Sequence, residues 1–123
     1  MAKIRHLAIS TNDTPKLADF YKRTFEMFEV HRQERDDRDP AIYLSDGYIN
    51  LAILPAVDRP EGIYHFGFQV DDVRETGRIA KENGSQTGIA PRPQDGRFAE
   101  FRLHDPVGTP VDVAEGGWKV ERD

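Results

Sequence analysis

The chain has 123 residues, of which 37% are hydrophobic and 32% are charged, and its formal net charge is −5. This length fits one domain with a hydrophobic core of its own. The sequence has no apolar run that would cross a bilayer, no secretion signal at its start and no basic stripe that would bind nucleic acid. We therefore expect a cytoplasmic globular protein that binds neither membranes nor nucleic acid. The absence of cysteine excludes disulfides and thiolate ligands.

One pattern occurs twice in the chain. In Ile4–Asp13, His6 lies inside an alternating strand that leads through a short acidic turn into a helix, and Ile63–Asp72 repeats this order around His65. Successive side chains of a strand point to opposite faces, so both histidines are expected opposite the apolar set. The repeat predicts two modules, at about residues 1–56 and 60–118.

The first module is predicted to run from a strand at Ile4–Ser10 through a helix to further strands. Thr14 is the expected helix cap, with Pro15 at the first helical position. A short strand follows at Phe28–Arg32. The helix carries an apolar stripe at helical spacing, formed by Leu17, Phe20, Tyr21, Thr24 and Phe25.

A hairpin is predicted around Asp46-Gly47, a dipeptide typical of two-residue turns in which both residues have positive φ. Pairing of Ser45 with Tyr48 then sets Tyr43 opposite Asn50 on a cavity-lining face. Tyr48 is expected on that face too. The apolar face would hold Ile42, Leu44, Ile49 and Leu51.

The second module is predicted to repeat this plan. Asp72 and Glu75 form a capping box for its helix, and Gly84 ends it. The loop Gly88–Gly96 could close over a ligand or could merely be long. The last two strands are expected at Phe98–Leu103 and Val111–Glu115, joined by a turn at Asp105–Gly108, and Gly116-Gly117-Trp118 is expected to be a surface segment.

Taken together, four motifs resemble those of the vicinal oxygen chelate superfamily, which includes glyoxalase I, bleomycin-resistance proteins, methylmalonyl-CoA epimerase and extradiol dioxygenases. They span nearly the whole chain in the expected order. The motifs are Ile4–Ile9, Asp19-Phe20-Tyr21, Tyr64–Asp72, and Asp105–Gly108 followed by Val111-Asp112-Val113. The resemblance implies an α+β fold of two βαβββ modules, with an eight-stranded, cup-shaped mixed sheet and helices packed on its outer face.

The resemblance also implies a divalent metal on the inner faces of the strands. Carried over to this chain, its ligands are His6, Asn50, His65 and Asp112, and strand periodicity sets these positions opposite the apolar residues. This donor set suits Fe, Mn, Zn, Ni or Co. Asn50 is a weak neutral ligand and could instead support a ligand, and Asp112 stands where family members commonly have Glu.

Further residues are candidates for chemistry and substrate contact. Glu100 or Asp112 is expected to move the proton. Glu100 faces inward if its apolar neighbours in the strand are buried, but a one-residue slip in the hairpin would reverse this, and Glu100 could also be a reserve metal ligand. Tyr43 and Gln69 are candidate substrate contacts. Glu26 stands at a helix end where the family tends to have Gly, so a left-handed conformation there would cost about 1 kcal/mol.

Three functions remain open at this point. The first is metal-assisted proton transfer next to a carbonyl, as in glyoxalase-like lyases and epimerase-like isomerases. The second is extradiol ring cleavage at a two-histidine, one-carboxylate iron site. The third is metal-free binding of a small molecule, as in resistance proteins. In each case we expect a small-molecule partner and a homodimer, because strand edges and apolar surface need covering.

Overall fold

The computed structural model describes residues 1–92 and 100–122. Within these residues the chain forms two helices and eight strands, and neither helix is long and apolar enough to cross a membrane. The chain divides into two compact units. The α1 unit comprises His6–Tyr64 and Trp118–Asp123, and the α2 unit comprises Met1–Arg5 and His65–Gly117.

The first half of the chain follows the order strand, helix and three strands. The elements are β1 (Lys3–Thr11), α1 (Thr14–Phe25), β2 (Phe28–Gln33), β3 (Ala41–Ser45) and β4 (Asn50–Pro55). In the α1 unit the strands lie in the order β2-β3-β4-β1, and β1 runs parallel to β4 while the other two pairs are antiparallel. A parallel pair needs a crossover between its strands, which α1, β2 and β3 provide here.

The core of the α1 unit lies between helix α1 and one face of its strands. Each fully buried leucine or isoleucine side chain contributes about 1.5–3 kcal/mol of stability relative to an exposed one. Leu7 and Ile9, the predicted apolar set of β1, pack against this core from the sheet. The buried members are Ala18, Ile42, Leu44, Leu51 and Ile53.

Helix α1 differs from its prediction in two respects. Its cap is Asp13 rather than Thr14, since the Asp13 carboxylate accepts a hydrogen bond from the Lys16 N–H. An ionised carboxylate is a stronger acceptor than a hydroxyl at a helix start. The predicted stripe is also rotated, because Leu17 and Tyr21 pack on the core while Phe20 and Phe25 are 53% and 62% exposed.

For the hairpin between β3 and β4, the predicted faces are confirmed and the predicted register is wrong. Ser45 pairs with Asn50, not with Tyr48, and Tyr43 pairs with Ala52. The Asp46 carboxylate accepts hydrogen bonds from the backbone N–H groups of two loop residues, and of the two predicted turn residues only Gly47 has positive φ. These bonds favour a four-residue loop, in which Tyr48 is exposed instead of lining a cavity. A slip of two residues leaves Tyr43 and Asn50 on one face and Ile42, Leu44 and Leu51 on the other, as predicted.

The second half of the chain repeats the same order of elements. They are β5 (Gly62–Gln69), α2 (Val73–Glu82), β6 (Ala90–Pro91), β7 (Phe101–His104) and β8 (Pro110–Ala114). In the α2 unit the strands lie in the order β5-β8-β7-β6, with β5 parallel to β8 and the other pairs antiparallel. The fold class predicted from the sequence is confirmed: α+β, with two helices and eight strands of mixed sheet in the described residues, arranged in βαβββ-like modules. The predicted cup stays a prediction.

Helix α2 begins and ends where the sequence predicts, but its capping box is only half formed, because the Glu75 carboxylate binds the Arg78 guanidinium. The Asp72 carboxylate accepts from the Glu75 N–H, and Gly84, just beyond the helix, has a φ of 93°. The helix covers a core that Phe66 and Phe68 approach from β5. The buried members of that core are Val70, Val73, Leu103, Val111 and Val113.

The turn between β7 and β8 also forms as predicted. The Gly108 N–H donates to the Asp105 carbonyl at 2.9 Å, and the Asp105 carboxylate accepts from the N–H groups of Val107 and Thr109. Strand β8 begins at Pro110, which has no N–H to contribute to a ladder. The predicted loop 88–96 contains the short strand β6, which the sequence did not predict. Residues 93–96 of that loop and the first two residues of the predicted strand at 98–103 lie outside the described residues.

Candidate functional site

Strand register brings three polar side chains of the α2 unit together. Asp112 of β8 pairs with Arg102 of β7 on one side and with Gly67 of β5 on the other. His65 lies two residues before Gly67 and therefore on the same face of β5. The three side chains consequently share one face of the sheet, opposite the apolar core of this unit.

The contacts among these three side chains are short and buried. Arg102 donates to both carboxylate oxygens of Asp112, with Nε 2.6 Å from Oδ1 and Nη2 3.2 Å from Oδ2. His65 Nε2 lies 3.0 Å from Asp112 Oδ2, and Arg102 Nη2 lies 3.2 Å from His65 Nδ1. The side chains of Arg102, Asp112 and His65 are 10%, 0% and 4% exposed. We call this set the Arg102 cluster.

These contacts fix the protonation states in the Arg102 cluster. A guanidinium only donates, so His65 Nδ1 accepts and its Nε2–H donates to Asp112. Burial lowers the pKa of His65 more than Asp112 raises it, and the ring is therefore neutral near pH 7. Burial would raise the pKa of Asp112, but the hydrogen bonds from His65 and Arg102 outweigh it and hold that pKa well below its usual range.

Glu100 adds a second carboxyl group to this buried region. Its side chain is buried and hydrogen-bonds the Asp112 carboxylate. Burial first, and then the negative charge of Asp112, raises the pKa of Glu100 to about 8. Near neutral pH the pair is therefore one neutral acid and one carboxylate, because two adjacent carboxylates repel each other.

His6 and Asn50 form a second polar contact, within the α1 unit. The two residues pair in the parallel ladder of β1 and β4, and His6 Nδ1 lies 3.0 Å from Asn50 Oδ1. Both side chains are buried. An amide oxygen accepts, so His6 Nδ1 donates this hydrogen bond.

The chain after Gly117 packs against this second contact. The ring of Trp118 stacks on His6, with centroids 5.2 Å apart and planes within 5°. Asn50 Nδ2 donates to the Lys119 carbonyl at 2.7 Å, and Ser45 Oγ donates to the Val120 carbonyl at 2.5 Å. The segment lies at the surface as predicted, since Gly117 and Lys119 are exposed, but it is docked there, because the Lys119 and Val120 carbonyls accept hydrogen bonds from buried side chains.

The two predicted substrate contacts occupy different surroundings. Tyr43 is half-buried, and its ring lies 5.4 Å from that of His31. Gln69 accepts a hydrogen bond from Arg5 Nε and donates one to the Glu115 carbonyl, both at 3.4 Å. It also borders a surface cavity of about 350 Å³ in the α2 unit. A role in substrate binding stays a prediction for both.

Sequence reasoning missed Arg102 and Trp118. A usable signal existed for Arg102, because it lies two residues after Glu100 in the predicted strand at 98–103, and residues two apart share one face of a strand. No periodic signal was present for Trp118, which lies beyond the last strand.

The donor groups of these residues fit a divalent metal. Imidazole, carboxylate and amide groups are all ligands that first-row metals accept. The α1 unit offers buried His6 and Asn50, and the α2 unit offers buried His65 and Asp112. A metal would compete with the Arg102 guanidinium that already holds Asp112.

Comparison with known proteins agrees with this fold. Residues 3–113 match the model of the Glyoxalase/Bleomycin resistance protein/Dioxygenase superfamily. The chain belongs to this superfamily, the vicinal oxygen chelate group, whose members are mostly enzymes and bind small molecules. A comparison with curated proteins finds no match.

Solved structures with the same fold are distant in sequence. A hypothetical protein from Bacillus halodurans C-125 has 20% identity and a TM-score of 0.73, with 98% of each chain covered. Methylmalonyl-CoA epimerase from Mycobacterium tuberculosis has 18% identity and a TM-score of 0.70 over 93% of this chain and 87% of that chain. The 2,3-dioxygenase LapB from Pseudomonas sp. KL28 has 18% identity and a TM-score of 0.67 over 91% of this chain and 40% of that chain.

Proposed function

We propose that this protein is a metal-dependent enzyme that moves a proton next to the carbonyl group of a small oxygenated substrate, as glyoxalase-like lyases and epimerase-like isomerases do. The observation that carries the proposal is the carboxyl pair. The pKa of Glu100 is raised to about 8, whereas that of Asp112 is lowered. Surroundings that separate the pKa values of two carboxyl groups give them different roles in proton transfer.

Glu100 is the proposed proton-transfer group. A carboxyl whose pKa lies near the working pH both accepts and returns a proton, whereas an ordinary glutamate is too weak a base at neutral pH. In the metal-free protein Asp112 is ionised, because Arg102 and His65 stabilise its charge. It would assist by keeping the proton on Glu100 in the resting state.

His6, Asn50, His65 and Asp112 are the proposed metal ligands, with Fe, Mn, Zn, Ni or Co as the ion. Their residue types, their burial and the superfamily support this set. When bound, such an ion supplies Lewis acidity that stabilises negative charge on a substrate oxygen. Tyr43 and Gln69 are the proposed substrate contacts.

Proton exchange with solvent tests the proposal. The protein is loaded with each metal in turn and incubated in D₂O with α-hydroxy acids, α-keto acids and methylmalonyl-CoA, the last because several solved neighbours are methylmalonyl-CoA epimerases. We expect deuterium on the carbon next to the carbonyl group by NMR, and a loss of about 100-fold or more in Glu100→Gln. The matched control is Glu82→Gln, an exposed glutamate on α2. Exchange by Glu100→Gln at the wild-type rate would refute the role of Glu100.

Ring cleavage is a second candidate. The proposed ligands include two histidines and one carboxylate, which is a donor set used by non-haem iron oxygenases, and one solved neighbour is a 2,3-dioxygenase. Iron-loaded protein that consumes oxygen in the presence of catechols would favour this function. Zinc or nickel protein that catalyses α-proton exchange, with no oxygen uptake by the iron form, would exclude it.

Metal-free binding of a small molecule is a third candidate, and the guanidinium on Asp112 favours it. Arg102 already neutralises the carboxylate that a metal would otherwise neutralise. Protein that is purified without an affinity tag and takes up no metal would make this function the leading one.

A further inference from the structure

We infer that Arg102 is a built-in counter-cation, and that a divalent metal binds His65 and Asp112 only in exchange with its guanidinium group. The inference rests on the proposed metal site, of which it concerns only the part within the α2 unit. It makes Arg102 a residue that controls metal affinity, through the two ligands that it contacts.

Hydrogen bonds within the Arg102 cluster already occupy the atoms that a metal would bind. Arg102 engages both oxygens of Asp112 and also Nδ1 of His65, at 2.6, 3.2 and 3.2 Å. The remaining ring nitrogen of His65 donates to Asp112 at 3.0 Å. A metal needs a lone pair on an imidazole nitrogen and on a carboxylate oxygen. It can obtain both only by breaking hydrogen bonds within the Arg102 cluster.

Charge supplies the second step. A guanidinium does not lose its proton in proteins, so Arg102 cannot become neutral to admit a cation, as a lysine can. Its side chain and that of Asp112 are 10% and 0% exposed, and solvent therefore screens the repulsion between guanidinium and metal only weakly. Binding of a metal requires the guanidinium to move away from Asp112.

The third step concerns the metal-free protein. A buried carboxylate without a partner is strongly destabilising. Arg102 removes that penalty, so the α2 unit does not depend on a metal to neutralise Asp112. Loss of Arg102 should therefore have two opposite effects: weaker folding without metal and tighter binding of metal.

An alternative role for Arg102 predicts the reverse effect on metal. Hydrogen bonds from neighbouring groups often orient a metal-binding carboxylate, and loss of such a partner typically weakens metal binding about 10–100-fold. The sign of the change in affinity thus separates a competing cation from an orienting partner.

The test uses the full chain after treatment with a chelator, titrated with Zn²⁺ alone by calorimetry and with Co²⁺ alone by its visible absorption. Arg102→Gln removes the charge and keeps an amide donor. We expect its Kd for Zn²⁺ to fall at least tenfold below that of the wild type, and its metal-free Tm to fall. Arg78→Gln, which removes an arginine paired with Glu75 and Glu82 on the surface of α2, is the matched control and should change neither value.

A second variant protects the test against misfolding. Arg102→Lys keeps a cationic group beside Asp112 in the metal-free protein but, unlike a guanidinium, an ammonium can lose its proton when a metal binds, so we expect a folded protein whose Zn²⁺ affinity rises about threefold. His65→Ala should remove the high-affinity event in every background, which assigns the signal to this site.

The outcomes separate this inference from the proposed function. Equal or weaker Zn²⁺ binding by Arg102→Gln and Arg102→Lys, with α-proton exchange intact in the wild type, overturns the inference alone. Absence of Zn²⁺ and Co²⁺ binding in all variants overturns both. Tighter binding without any proton exchange supports the inference and refutes the proposed reaction.

Discussion

Glu26, which ends helix α1, is held in a left-handed conformation with a φ of 58° and a ψ of 28°. Residues with a Cβ atom are strained there, whereas glycine is not. We expect Glu26→Gly to raise the free energy of unfolding by roughly 0.5–1 kcal/mol, since the strain that it relieves exceeds the extra freedom of glycine in the unfolded chain.

Urea denaturation measures this effect, with Asp58→Gly as the comparison. Asp58 has a φ of 60°, but aspartate tolerates this region better than glutamate does. Asp58→Gly should therefore raise the free energy of unfolding by less than Glu26→Gly does. A destabilised Glu26→Gly protein would contradict the strain assigned to this position.

Glu100 makes the stability of the folded chain depend on pH. Its pKa is raised from 4.5 to about 8 in the folded chain, so between these values the folded state binds more protons than the unfolded state. Stability from this group is therefore present at low pH and is lost as the pH rises through about 8. In metal-free protein, Glu100→Gln should flatten the fall in Tm between about pH 5 and pH 8.

The quantity to measure is the difference in Tm between the wild type and Glu100→Gln at each pH. The lowered pKa of His65 acts in the opposite direction, because its contribution grows as the pH rises towards 6.5. It is present in both proteins and cancels in the difference. Glu82→Gln is the control, and a difference curve as flat as that of the control would show that Glu100 titrates normally.

At the scale of the element, the segment after strand β8 behaves as a structural part of the α1 unit. Trp118 covers His6, and the two following carbonyls accept hydrogen bonds from Asn50 and Ser45. We expect Trp118→Ala to lower the free energy of unfolding by about 1–3 kcal/mol, since the ring is half-buried and its stacking is lost.

Two observations make this prediction specific. Trp118→Phe, which keeps an aromatic ring for His6, should recover most of the lost stability in thermal denaturation. The imidazole resonances of His6 should shift in Trp118→Ala and change little in Trp118→Phe. Unchanged stability and unchanged resonances in both variants would mean that the segment is not docked.

The β3–β4 hairpin illustrates what pattern does and does not determine within an element. The alternation of apolar and polar residues placed Tyr43 and Asn50 on one face, and that face is observed. The register was wrong because the Asp46 side chain binds the backbone of its own loop. Local side-chain bonds of this kind compete with the turn that a dipeptide favours.

At the scale of the whole molecule, exposed apolar surface favours a homodimer. Phe20 and Phe25 of α1 and Ile63 of β5 are large apolar side chains that solvent reaches. We expect light scattering after size-exclusion chromatography to give twice the monomer mass. Phe20→Lys combined with Phe25→Lys should shift the protein towards the monomer, whereas Lys3→Glu should not. A monomer in the wild type at all concentrations would contradict the prediction.

The sequence by itself determined the fold class and the repeated order of a strand, a helix and further strands, although it missed the short strand β6. These features follow from periodicity, capping residues and turn residues, all of which act over a few neighbouring positions. Only the tertiary structure revealed the guanidinium of Arg102 on Asp112 and the ring of Trp118 on His6. Each contact joins residues that are distant in the chain, and no local pattern encodes which strand lies beside which or where a terminal segment packs.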